Sequence, residues 1–161
     1  MKIRLLAGLL VFAAPTAFAA DSACDPVIKA SEARASMGTW QSTTTVNQNF
    51  KMNAMKIGGQ TYTQVAGEAW KKAPFDASEA ERQLLAQIAN GQITLSQCKV
   101  DGVATVEGIA TKVISYVIKM PGADAVAAKL YVGKFDGLPY AQTSVQTSSR
   151  YRYTGLTVPN I

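Results

Sequence analysis

The chain has 161 residues, 16 Lys and Arg against 11 Asp and Glu, a net charge of +5 and no histidine. The missing histidine excludes Ser-His-Asp and Cys-His catalysis and every His-ligated metal site. The acidic residues are few and scattered, so no carboxylate pair stands out for acid–base work and no cofactor is implied. The mild basic excess lacks the dense Lys/Arg cluster of a nucleic-acid binder.

Lys2 and Arg4 precede an apolar run from Leu5 to Phe18, closed by Ala17-Phe18-Ala19. This is the pattern of a secretory signal peptide over residues 1–19, cut after Ala19. The run is shorter than the ~20 apolar residues of a comfortable membrane span. Cleavage takes 19 of the 161 residues, Lys2 and Arg4 among them, and leaves 142 residues (20–161) at net charge +3, the size of one domain outside the cytoplasm. The remaining basic charge suits a solvated surface, or peripheral contact with anionic lipid head groups. Cys24 and Cys98 are an even pair in an oxidising compartment, which predicts one disulfide, worth roughly 4 kcal/mol for so long a loop. The rival is a lipidated Cys24, but Asp21-Ser22-Ala23 puts an acid where a lipobox has leucine.

Asp25-Pro26 reads as a helix cap followed by proline at the first helical position, with Val27, Ala30, Ala33 and Met37 at helical spacing and Gly38 as the stop. Gln41–Phe50 has strand chemistry. Lys51–Ile57 and Gln60–Ala66 flank Gly58-Gly59, a hairpin turn. Glu68 to Lys72 continues as a strand or its edge until Pro74. A second helix runs from about Asp76 to Asn90. Ser78 and Glu81 form its capping box with Asp76 as the alternative cap, and Ala77, Leu84, Leu85 and Ile88 share a face. Asn90-Gly91 ends it.

From Ile93 the chain reads as strands. Ile93–Val100 meets Asp101-Gly102, a hairpin signal. Val103–Val106 is short, with Glu107-Gly108 behind it. Thr111–Met120 puts Ile114, Tyr116 and Ile118 on one face. After Pro121-Gly122, Ala125–Val132 alternates Val126, Ala128, Leu130 and Val132 against smaller or polar residues. Phe135 to Pro139 is a turn. Tyr140–Ser149 and Arg150–Val158 are the last strands, with Tyr151 and Tyr153 on one face. The expected fold class is α+β: a single curved antiparallel sheet of about eight strands, its concave face covered by two helices. A curled sheet plugged by helices leaves a groove or cavity between them.

Several pieces in this order resemble the periplasmic lipoprotein-carrier superfamily of LolA, LolB and LppX and, more closely, a set of small exported proteobacterial proteins. They are Gly59-Gln60-Thr61-Tyr62 with Trp70-Lys71-Lys72; Cys98; Val106-Glu107-Gly108-Ile109-Ala110-Thr111-Lys112-Val113; and Leu130-Tyr131-Val132-Gly133 with Asp136-Gly137-Leu138-Pro139. The resemblance spans roughly residues 24 to 158. It implies an unclosed β-barrel with helical lids over an apolar cavity, and a periplasmic location.

The expected function is therefore a non-catalytic binding or carrier protein for a hydrophobic ligand such as a lipid or acyl chain. The alternative is an envelope interaction or structural protein whose sheet interior is filled and which binds another envelope protein. Candidate ligand-binding residues are Met52, Met55 and Ile57, since Met suits irregular apolar ligands. Tyr62 and Trp70 stand at a cavity mouth, Leu84, Leu85 and Ile88 beneath a lid, and Tyr116, Ile118 and Leu130 on the sheet. Each of the Met, aromatic and helix groups also reads as ordinary packing, the commoner use of such residues. Lys71 and Lys72 belong either to a solvated strand edge or near an anionic head group.

Overall fold

Asp21 opens the part of the chain that the computed structural model describes, residues 21–161. The expected signal peptide lies outside the described residues. The Asp21 carboxylate accepts from the Ala23 N–H and caps a single 3-10 turn, Ser22–Cys24, which runs straight into helix α1, Asp25–Ser36. Asp25 and Pro26 thus fall inside the first turn rather than at its cap. Proline is tolerated there because first-turn N–H groups have no intrahelical partner. Val27, Ala30 and Ala35 are buried.

Four strands follow as an antiparallel meander: β1 (Trp40–Val46), β2 (Phe50–Ile57), β3 (Gln60–Val65) and β4 (Lys71–Lys72). The single strand expected over Gln41–Phe50 is broken at Asn47-Gln48-Asn49. Asn47 and Gln48 take φ of 48° and 65° there and reverse the chain without glycine. Gly58-Gly59 forms the expected hairpin, at φ 59° and 78°, pairing Ile57 with Gln60. Helix α2 spans Ala77–Ala89, and its cap is Asp76 rather than Ser78. The Asp76 side chain accepts from the Ser78 N–H, which leaves the Ser78 hydroxyl free to turn inward.

The second meander is β5 (Thr94–Val106), β6 (Ile109–Lys119), β7 (Val126–Gly133), β8 (Pro139–Ser144) and β9 (Thr147–Arg152). Asp101-Gly102 is not a hairpin. Gly102, at φ 146°, lies in a bulge where β5 absorbs an extra residue and stays paired with β6. The reversal comes at Glu107-Gly108, at φ 49° and 84°. The last two strands also divide earlier than expected, at Val145-Gln146. There the Ser144 hydroxyl accepts from the Gln146 and Thr147 N–H groups and holds the turn. The chain beyond Arg152 leaves the sheet.

The nine strands of the described residues form one antiparallel sheet in the order β4-β3-β2-β1-β9-β8-β7-β6-β5, with β4 and β5 as unjoined edges. The first meander ends at one edge and the second begins at the other, so α2 has to cross the sheet. Nine flat strands would spread over about 38 Å, whereas α2 is about 20 Å long. Curling the sheet shortens the gap between its edges. The result is an α+β fold with an unclosed, curved sheet and both helices on its concave side. The core gathers Cys24 of the 3-10 turn and Val27 and Ala30 of α1 with Ile88, Ile93, Leu95, Ile114, Tyr116, Ala128, Leu130 and Val132. Cys24 and Cys98 are disulfide-bonded, Cα to Cα 5.1 Å.

Candidate ligand site

Residues paired across neighbouring strands share a face, and successive residues alternate between faces. Two contacts identify the helix side. Arg34 of α1 lies 4.7 Å from the centre of the Tyr151 ring, and Lys56 reaches Asp76 and Ser78 at the start of α2. Following the register from these residues, β6 to β8 present Ile114, Tyr116, Ile118, Leu130, Ala128 and Gln142 to the helices. The other half of the concave face is more mixed: Ser42, Thr44, Ala54 and Ser149 lie there beside Trp40, Met52 and Tyr151. The apolar wall therefore covers only part of the interior.

Between the helices and that wall lies a cavity of about 70 Å³. Five of the expected residues line it: Leu84 and Ile88 from α2, and Tyr116, Ile118 and Leu130 from the sheet. Leu85 is half-buried on the flank of α2, outside the lining. Met52 belongs to the concave face but is 41% exposed beyond the helices. Met55, Ile57 and Tyr62 are placed on the opposite, convex face, one residue out of phase with Lys56 and Thr61. Met55 and Tyr62 are nonetheless buried, in a row that runs Arg152, Gln41, Met55, Tyr62, Lys72. Gln41 and Lys72 flank the two apolar residues in that row. Trp70 is half-buried just before β4. Lys71 and Lys72 are exposed on the edge strand, where lysine discourages pairing with another chain.

A polar line crosses the interior beside the cavity. Gln142 donates to the Tyr116 hydroxyl at 2.9 Å and accepts from the Tyr151 hydroxyl at 3.4 Å. Arg34 covers the Tyr151 ring and pairs with Glu81 of α2, both side chains being well buried. Burial works against the Arg34 charge, but Tyr151 and then Glu81 outweigh it and raise the guanidinium above its ordinary value. Burial likewise pushes the Tyr116 hydroxyl up to about 12 and raises Tyr153 further. Two buried polar atoms have no hydrogen-bond partner among the described residues: Glu81 Oε1 and Trp40 Nε1.

Sequence reading passed over Arg34 and gave Glu81 a capping role beside Ser78, whereas Asp76 is the cap and Glu81 pairs with Arg34. Each lies on the apolar stripe of its own helix, Arg34 seven residues after Val27 and Glu81 seven before Ile88. A charge at helical spacing with buried apolar residues is the signal that could have found them. Among the described residues no group of His, Cys, Asp or Glu could hold a metal ion, and no helix is long and apolar enough to cross a membrane.

An unclosed β-barrel with a helical cover over its concave face is thus the class of protein that this fold defines. The chain shares this fold with proteins of known structure. Among solved structures, it is similar to LprF from Mycobacterium bovis, with a TM-score of 0.57 and 12% identity over 86% of this chain and 96% of that one. It is also similar to the Mycobacterium tuberculosis lipoprotein LppX, with a TM-score of 0.51 and 11% identity over 86% of this chain and 98% of that one. No family model matches the chain, and no curated protein matches it.

Proposed function

We propose that the protein is an exported, periplasmic, non-catalytic carrier or binding protein, one domain over residues 20–161, that takes a hydrophobic ligand such as a lipid or acyl chain beneath α2. The observation that carries this reading is the apolar-walled cavity under a helix with little apolar anchorage. Only Ser78 and Ile88 of α2 are fully buried, and its other inward positions are half-covered or small. Such a helix lifts at lower cost than a Leu-rich one. Each CH₂ then buried contributes about 0.8 kcal/mol to binding. The fold shared with the lipoprotein LppX supports the same reading, as does the disulfide, which suits an oxidising compartment.

Native mass spectrometry of protein purified from the periplasm tests it. A mature chain beginning at or near Ala20 and carrying a lipid or fatty acid adduct is the expected result. The size of the cavity favours a second reading. At about 70 Å³ it is far below the roughly 300 Å³ of a small-molecule pocket, as in an envelope interaction protein with a filled interior. A chain that carries no adduct and takes up no acyl probe would support that alternative.

A further inference from the structure

Among the described residues Arg34 is the sole cation lining the cavity, and the lining it joins is otherwise largely apolar, with Ile28, Leu84 and Ile118 in it. Among the described residues, its guanidinium makes one side-chain hydrogen bond, to Glu81 Oε2, while the second Glu81 oxygen is buried without a partner. A guanidinium has five N–H donors in a fork that fits a carboxylate bidentately. The pair is therefore half-used on both sides. Glu81 rides on α2, so lifting α2 to admit a ligand would draw it away and leave Arg34 over the Tyr151 ring with no counter-charge. A neutral ligand would leave that buried cation unpaired, which is costly. A ligand with its own carboxylate would replace Glu81 and restore the pair.

We infer that the ligand is a carboxylate-headed, single-chain amphiphile, a free fatty acid. Its head takes the place of Glu81 on Arg34 and its chain lies along the apolar wall. This inference rests on the carrier reading. The ion pair is then a stand-in for the ligand head, and it keeps the empty site closed.

The test is a competition titration in which palmitate, methyl palmitate and hexadecyl phosphate each displace a neutral pyrene-labelled hydrocarbon. The proteins are the wild type, Glu81→Gln, and the double variant Arg34→Gln/Glu81→Gln, which removes both charges and leaves no lone buried ion. Palmitate is expected to bind the wild type at least about tenfold more tightly than its methyl ester. Glu81→Gln, which loosens the lid, should tighten both and keep the preference. The double variant should bind both equally. Equal binding of acid and ester to the wild type, or a preference that survives in the double variant, would overturn the inference while leaving the carrier reading intact. Tighter binding of hexadecyl phosphate than of palmitate would overturn the carboxylate assignment. If the wild type binds neither the hydrocarbon probe nor any competitor, the carrier reading falls and this inference with it.

Discussion

Cys24 and Cys98, 74 residues apart in sequence, tie the start of α1 to a bulge in the edge strand β5. Gln97 and Cys98 together oppose Tyr116, with Gln97 at φ 54°. Regular alternation from the buried Leu95 would turn Cys98 away from the helices; the extra residue turns it toward them. The bridge thus fastens α1 over the concave face at the edge where the sheet is open. Reduction, or the double substitution of both cysteines by alanine, should cost about 4 kcal/mol by the loop-entropy argument. Urea unfolding followed by circular dichroism with and without reductant measures this.

Breaking the Arg34–Glu81 pair from one side should be worse than removing both charges. Arg34→Met alone leaves a buried carboxylate and is expected to cost about 3–5 kcal/mol, whereas Arg34→Met with Glu81→Leu should recover most of the loss. A double-mutant cycle on the unfolding free energy gives the coupling.

Ile88 and Leu84 should separate stability from uptake. Ile88 is 7% exposed within the core and Leu84 is half-buried at the cavity. Ile88→Ala is expected to cost about 3 kcal/mol. Leu84→Gln should cost less in stability and more in acyl-probe uptake. Thermal melts beside probe titrations on the same two variants test the difference.

Gly133 is required by close approach. A Cβ there would meet Asp136 Oδ1 at 2.1 Å and the Tyr140 ring at 2.8 Å. The Asp136 carboxylate caps the turn by accepting from the Leu138 N–H and the Tyr140 hydroxyl. Tyr140 packs edge-to-face on Tyr153, ring centres 5.5 Å apart. Gly133→Ala should therefore destabilise by about 1–3 kcal/mol. Gly122→Ala meets no atom but sits at φ 71°, so it should cost about 1–2 kcal/mol through backbone strain alone.

Stability should fall on acidification through Asp76. Its hydrogen bonds from Lys56 and the Ser78 N–H hold its carboxyl below the ordinary carboxylate value. A depressed folded value means the contribution is present above the unfolded value near ~4 and is lost as pH falls through the lower, folded one. Melting temperatures followed downward from about pH 5 should drop less steeply in Asp76→Asn than in the wild type.

Local chemistry was enough for much of this protein. The α2 periodicity with its Asn90-Gly91 stop, the Gly58-Gly59 hairpin, the alternation of Ile114, Tyr116 and Ile118 and of Ala128, Leu130 and Val132, and the even cysteine pair were all legible, because each depends on neighbours a few residues away. The turns at Asn47-Gln48 and Val145-Gln146 were missed because Asn and Ser carry turns less conspicuously than glycine. Asp101-Gly102 misled because the same φ freedom serves a bulge and a hairpin, and only the pairing with β6 selects between them. Tertiary structure alone decided which face Met55, Ile57 and Tyr62 join, since a shift of one residue in register exchanges the two faces. It also decided that Arg34 and Glu81 meet. Their encounter depends on α2 crossing from β4 to β5, and no local pattern encodes the angle at which two helices pass.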